Sequence, residues 1–179
     1  MSDYFWKTFL PNTEAGYAPW LHNHGSLTLR IQERCDKFGV INQCDCLKTA
    51  AHDETALLGL PSRQKIYTRE VFLIADNKPV VFAHSVVAPQ HLRGAWQALQ
   101  YLGSRPLAAL LFAHPLVQRA PLHYRTLKAN HTLYRRAIAT LEAPPLRLWA
   151  RRSLFTLHGA PLLVTEVFLP EILLLAEPE

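Results

Sequence analysis

"KIYTREVFLIADNKPVVFAHSVVAP", residues 65–89, decides the fold. Two runs rich in β-branched and aromatic residues flank "DNKP", a cluster of turn formers, and so predict a β-hairpin. Working outward, "LRLWARRSLFTLHGAPLLVTEVFLP" (146–170) repeats the plan around "HGAP". "FGVINQCDCLKTA" (38–50) and "PLHYRTLKA" (121–129) read as further strands. The segments between them carry helix signals. Residues 16–36 read as a short helix, a break near Gly25, and a second helix capped by Ser26. "DETALLGL" (53–60) reads as a helical turn capped by Asp53. "PQHLRGAWQALQYLG" (89–103) reads as an amphipathic helix ending at Gly103. "SRPLAALLFAHP" (104–115) starts a helix with Pro106 in its first turn, and "HTLYRRAIATL" (131–141) reads as another. Hairpins with helices inserted between them predict an α+β fold on an antiparallel sheet, in one domain over 1–179.

Composition narrows the function classes. The chain has 179 residues, 49% of them hydrophobic, enough for a sizeable core. Its N-terminus lacks the basic and apolar regions of a signal peptide, and no run reaches the roughly 18 apolar residues of a membrane span. "ILLLA" (172–176) reads as a packed C-terminal segment. Three cysteines, two of them in "CDC" (Cys44, Cys46), make no disulfide framework and read as semi-buried thiols in a reducing compartment. No metal site is expected, because no second Cys/His pair has ligand spacing. The net charge of +5 invites a nucleic-acid partner, but the basic residues are dispersed rather than striped. No nucleic-acid partner is expected. An excess of arginine also suits a small anionic substrate.

The informative residues are charges inside strands. Side chains alternate between faces, so Glu166 shares a face with Leu162, Val164 and Phe168. Arg69 shares one with Tyr67, Val71 and Leu73, and His84 sits among Val80, Phe82 and Val86. A buried charge needs a partner or a task. If His158 and Gly159 form a two-residue turn, register arithmetic sets Arg151 opposite Glu166, an ordinary cross-strand ion pair. His84 reads first as a hydrogen-bonded core histidine, and the "RR" pairs at 135–136 and 151–152 as solvated surface. The functional reading is a carboxylate site. Arg69 offers a planar fork, and Leu107, at the start of a helix, offers a backbone N–H. Glu166 could accept a hydrogen bond from a hydroxyl at the far end. Together they suit a small ring acid carrying a hydroxyl.

The chain also resembles the chorismate lyase family. The resemblance runs from "GSLTLRIQ" to "VTEVFLP" and rests on "REVFLIADNKPVVFAHSVVAP", "LGSRPLAALLF" and "LWARRSLFTLHGAPLLVTEVFLP" in that order. It implies an antiparallel sheet with helical flaps that enclose the ligand, in a cofactor-free, cytoplasmic and monomeric enzyme. The implied reaction converts chorismate to 4-hydroxybenzoate and pyruvate, the first step of ubiquinone synthesis. The implied substrate-binding residues are Leu27, Arg69, Leu107 and Glu166, with Arg69 and Glu166 the catalytic pair. Some members carry arginine at the position of His84, so His84 or the nearby Arg93 is a secondary candidate. The same fold family includes effector-binding domains of transcription regulators, which makes a non-catalytic sensor of small aromatic acids the alternative. The roughly 25 residues before "SLTLR" are too few for the DNA-binding domain usually fused to such sensors.

Overall fold

The computed structural model describes residues 5–14 and 16–175. Among the described residues, seven strands form one antiparallel sheet: β1 (Phe38–Thr49), β2 (Lys65–Ala75), β3 (Lys78–Val87), β4 (Gln118–Arg119), β5 (His123–Leu127), β6 (Leu148–Leu157) and β7 (Ala160–Phe168). Their order is β1-β2-β3-β7-β6-β4, and β5 also pairs directly with β6, along 148–152. The described residues also form five short α-helices, α1 (Ala18–Leu21), α2 (Leu27–Gln32), α3 (His52–Leu57), α4 (Ala108–Ala113) and α5 (Thr132–Ala137), besides 3-10 turns.

Both predicted hairpins are present, and their turns are tighter than expected. Asp76 and Asn77 alone connect β2 to β3, both at positive φ, and His158 and Gly159 do the same between β6 and β7. Two positive-φ residues give a turn whose twist matches that of the strands it joins. Pairing Leu157 with Ala160 then sets Arg151 opposite Glu166. The two hairpins join through β3 and β7, from Val81–Phe168 to Val87–Leu162.

Helices cover both faces. On one face, Trp20, Leu21, Leu27 and Ile31 of the α1–α2 flap pack against Val71, Leu73, Val81 and Phe168. Beside them a second flap, residues 89–113, packs Trp96, Leu99, Leu107 and Leu111 onto Tyr67, Val87 and Leu162. On the other face, Leu133, Tyr134 and Ala137 of α5 cover Phe72, Phe82 and Val167. Ala50 and Leu58, at the ends of α3, cover Ile66 and Val86. Ser26 caps α2, its side chain accepting from the Leu29 N–H at 3.2 Å.

Several local expectations are corrected. Residues 89–103 form two 3-10 turns, Pro89–Arg93 and Gln97–Tyr101, because Gly94 takes φ −143 and ψ −117, outside the helical region. α3 begins before Asp53; Ala51 is its N-cap, and the Glu54 carboxylate accepts the Ala51 N–H at 2.8 Å. Pro106 precedes α4 rather than lying within it. Cys44 and Cys46 are joined in a disulfide, not free thiols. Residues two apart on a strand share a face, and the register shift between Asn42 and Cys44 marks a local irregularity there; their Cα atoms lie 5.8 Å apart, within disulfide reach. Ile172 at the C-terminus is fully buried, while Ala176 of "ILLLA" lies outside the described residues. Among the described residues, no helix is long and apolar enough to cross a membrane.

Candidate functional site

A cavity lies between the sheet and the two flaps, lined by apolar side chains and a few polar groups, as small-molecule sites are. Arg69, Val71, Ala83, Ser85, Val164 and Glu166 form its floor, because these positions alternate onto one face of β2, β3 and β7. Gly25, Leu27 and Thr28 close it from the first flap, and Leu107, Leu111 and Phe112 from the second. Leu27, Arg69, Leu107 and Glu166 therefore share one cavity.

Arg69 is 2% exposed. Its Nη2 donates to the carbonyls of Gly103 and Arg105, both at 2.9 Å, which ties the second flap to the sheet. Asp45 lies 3.8 Å from its Nε, and that Nε makes no hydrogen bond among the described residues. Burial lowers the pKa of the guanidinium, and Asp45 only partly offsets this. The Tyr67 hydroxyl donates to the same Asp45 oxygen at 3.0 Å; burial and this contact push the Tyr67 pKa up to about 12. Arg69 is thus a desolvated cation without a tight counter-ion, which favours an anionic ligand. Leu107 stands just before α4, where its N–H precedes the first intrahelical bond.

Glu166 has both a partner and a cavity. The Arg151 Nε donates to its Oε2 at 2.5 Å, and its Oε1 meets no partner among the described residues. Arg151 itself is fully buried. Its Nη1 donates to the carbonyls of Trp20, Leu21 and Asn23, at the C-terminal end of α1. The cross-strand ion pair thus holds one carboxylate oxygen in place and leaves the other facing the ligand space.

The expectation that Arg151 and Arg152 are solvated is overturned. β6 lies inside a sheet covered on both faces, so two adjacent residues point to opposite sides and both are buried. Arg152 pairs with Asp53 at 2.7 Å and lies over the Trp6 ring.

His84 and Arg93 do not reach the cavity. On β3 its two neighbours, Ala83 and Ser85, face the ligand space, and alternation turns His84 to the opposite face. There its Nδ1 meets Glu70 at 2.8 Å and its Nε2 meets Glu54 at 2.7 Å. Lys48, at 2.8 Å, and Arg136 complete the Glu70 shell. Burial opposes the charged forms of His84, Glu54 and Glu70, but their hydrogen bonds outweigh it. They raise the His84 pKa, lower that of Glu54, and hold Glu70 at about 2. Arg93 is exposed at the end of its 3-10 turn, where Leu92 is the buried residue.

Among the residues lining the cavity, sequence reasoning missed a charged one, Arg119 on β4. Its strand is only two residues long, too short for any periodic signal.

A polar-ended cavity roofed by two flaps on an antiparallel sheet defines an α+β protein with a small-molecule pocket between sheet and flaps. Solved structures with this fold include the effector domain of PhnF from Mycobacterium smegmatis. It has a TM-score of 0.60 at 14% identity, covering 83% of this chain and 91% of that one. The C-terminal domain of the histidine utilization repressor from Pseudomonas syringae gives 0.51 at 13%, covering 80% and 96%. Sequence carries the assignment further: the chain matches the family model described as chorismate lyase over residues 10–176. It is 52% identical over 158 residues to a "Probable chorismate pyruvate-lyase" of Nitrosospira multiformis, covering 88% of each chain. It is 50% identical over 166 residues to one of the same name from Aromatoleum aromaticum, covering 91% of this chain and 89% of that one. The chain belongs to the chorismate lyase family and is an enzyme, a lyase.

Proposed function

We propose that this enzyme converts chorismate to 4-hydroxybenzoate and pyruvate, supplying ubiquinone synthesis. The reading is supported by one cavity that carries a carboxylate-binding fork at Arg69 and a free carboxylate oxygen at Glu166. The names of its relatives point to the same substrate. Arg69 and the Leu107 N–H bind the ring carboxylate. Glu166 accepts from the 4-hydroxyl and orients the ring. Leu27 and Leu111 supply the apolar walls. Loss of the enolpyruvyl ether makes the ring aromatic, so the protein chiefly positions the substrate and stabilises developing charge. No cofactor enters this scheme. The family resemblance adds a monomeric, cytoplasmic enzyme.

The test is incubation of the pure protein with chorismate in chelator-treated buffer, following pyruvate and 4-hydroxybenzoate. Equimolar products are expected. Turnover that vanishes with the chelator and returns with metal would remove the cofactor-free scheme. Tight binding of 4-hydroxybenzoate with no turnover would favour an effector-binding role, the reading to which the PhnF-like fold lends support.

A further inference from the structure

Chorismate is a dianion, with one carboxylate on the ring and a second on the enolpyruvyl ether. The scheme above leaves the second unbound. Among the arginines lining the cavity, Arg69 has Asp45 at 3.8 Å, whereas Arg119 has no carboxylate within 4.0 Å among the described residues. Arg151, opposite Glu166 on the same face of the sheet, is occupied by it. Arg119 donates from Nη1 to the His24 carbonyl at 2.7 Å, and its Nε makes no hydrogen bond among the described residues. Its guanidinium lies over the rings of Phe155 and Phe112, 5.2 and 5.8 Å from their centroids. These contacts hold it in a largely apolar pocket wall.

The sheet order sets its position relative to the other groups. Arg69 stands on β2 and Arg119 on β4, with Glu166 on β7 between them. The ligand has the matching order. The ring carboxylate lies at C1, the hydroxyl opposite at C4, and the ether beside the hydroxyl at C3. A ring held between Arg69 and Glu166 therefore projects its ether from the Glu166 end.

We propose that Arg119 binds the carboxylate of the departing enolpyruvyl group. This rests on chorismate being the substrate. In the reaction the C3–O bond breaks and its electron pair goes to the ether oxygen. The C4 proton leaves the ring, its C–H electron pair completes the aromatic system, and the proton ends on the methylene carbon of the departing enolate, giving pyruvate. Negative charge on the departing fragment grows as the bond breaks, so a cation at its carboxylate stabilises the transition state more than the ground state.

The experiment compares Arg119→Gln and Arg119→Ala with wild type, measuring kcat/KM for chorismate and Kd for 4-hydroxybenzoate. Wild type must first release pyruvate; if it does not, the substrate reading falls and this inference falls with it. With an active wild type, kcat/KM should drop about 10²-fold while Kd for the product, which lacks the second carboxylate, moves by less than about 3-fold. Equal losses in both would overturn the inference alone, because Arg119 would then only fasten the flaps. Wild-type calorimetry guards against a variant that fails to fold. A stable diacid, 3-(carboxymethoxy)-4-hydroxybenzoate, should bind at least about tenfold tighter than its neutral 3-methoxy analogue. No preference for the diacid would also overturn the assignment.

Discussion

The two faces of one sheet bury charge in opposite ways. On the far face, His84, Glu54, Glu70, Lys48 and Arg136 satisfy one another within a closed network. On the near face, Arg69 and Arg119 keep an unsatisfied Nε each, and Glu166 keeps one free oxygen. Burial alone therefore does not mark a site, since both faces hold buried charge. Both faces border open space; what separates them is that the far-face imidazole and carboxylates are paired with one another, whereas Arg69, Arg119 and Glu166 keep unmet hydrogen-bonding capacity. The far face spends its charges on stability, and the near face holds them for a ligand.

The sharpest way to break this contrast is at His84. His84→Ala leaves two buried glutamates without their shared partner and should destabilise the fold by about 3–5 kcal/mol, read by denaturant unfolding. Turnover per folded molecule should stay within a few-fold of wild type. A stable His84→Ala protein with lost turnover would mean that the far face serves catalysis after all.

Arg69→Ala should do the reverse, weakening 4-hydroxybenzoate binding by about 2–4 kcal/mol. Its stability loss should be smaller, from the two flap carbonyls it releases. Arg69→Lys should recover binding only in part, because a point charge replaces a fork. Unchanged affinity by calorimetry in the Ala variant would make Arg69 a purely structural residue.

Glu166→Gln keeps an acceptor for Arg151 and so should stay folded. It should cost about 1–3 kcal/mol of discrimination between 4-hydroxybenzoate and benzoate, together with most turnover. A large fall in melting temperature with near-normal turnover and an unchanged affinity ratio would reduce Glu166 to the partner of Arg151.

The mildest test is pH. The His84 pKa is raised, so its stabilisation is complete below the ordinary value of 6.5 and is lost as pH climbs through the raised one. The Glu70 pKa is lowered, so its share is complete above the ordinary 4.5 and fades as pH falls toward about 2. Melting temperature should therefore be flat between these ordinary values and decline on the alkaline side. His84→Gln should flatten that alkaline decline; an unchanged slope would show that another group causes it.

The hairpins were legible because alternation and turn residues are local signals. Asn77 and Gly159 tolerate the positive φ that their turns require. Arg69, Leu107 and Glu166 were legible as odd charges or a helix start, helped by the family resemblance. Arg119 was hidden because its role arises from the β4–β6 pairing, which no local pattern announces. The faces of His84 and Arg152 were hidden for a related reason. Period-two alternation says that neighbours diverge, but not that both sides are roofed. The 3-10 turns at 89–101 escaped because apolar spacing outweighed Gly94 in the reading.

The seam between β3 and β7 has a consequence for how the protein acquires its shape. Each hairpin can close locally and quickly, on the scale of about 1–10 μs. Arg69 belongs to one hairpin and Glu166 to the other, and only the long-range pairing of Val81–Val87 with Leu162–Phe168 brings them together. Loop-closure entropy makes such pairings slow to form. The ligand space is therefore expected to come into being late in folding, and half-assembled chains have nothing with which to grip a ring acid. A bound ligand should then slow unfolding while leaving the folding rate unchanged, so that the small molecule acts as a clasp on a finished chain and never as a template for an unfinished one.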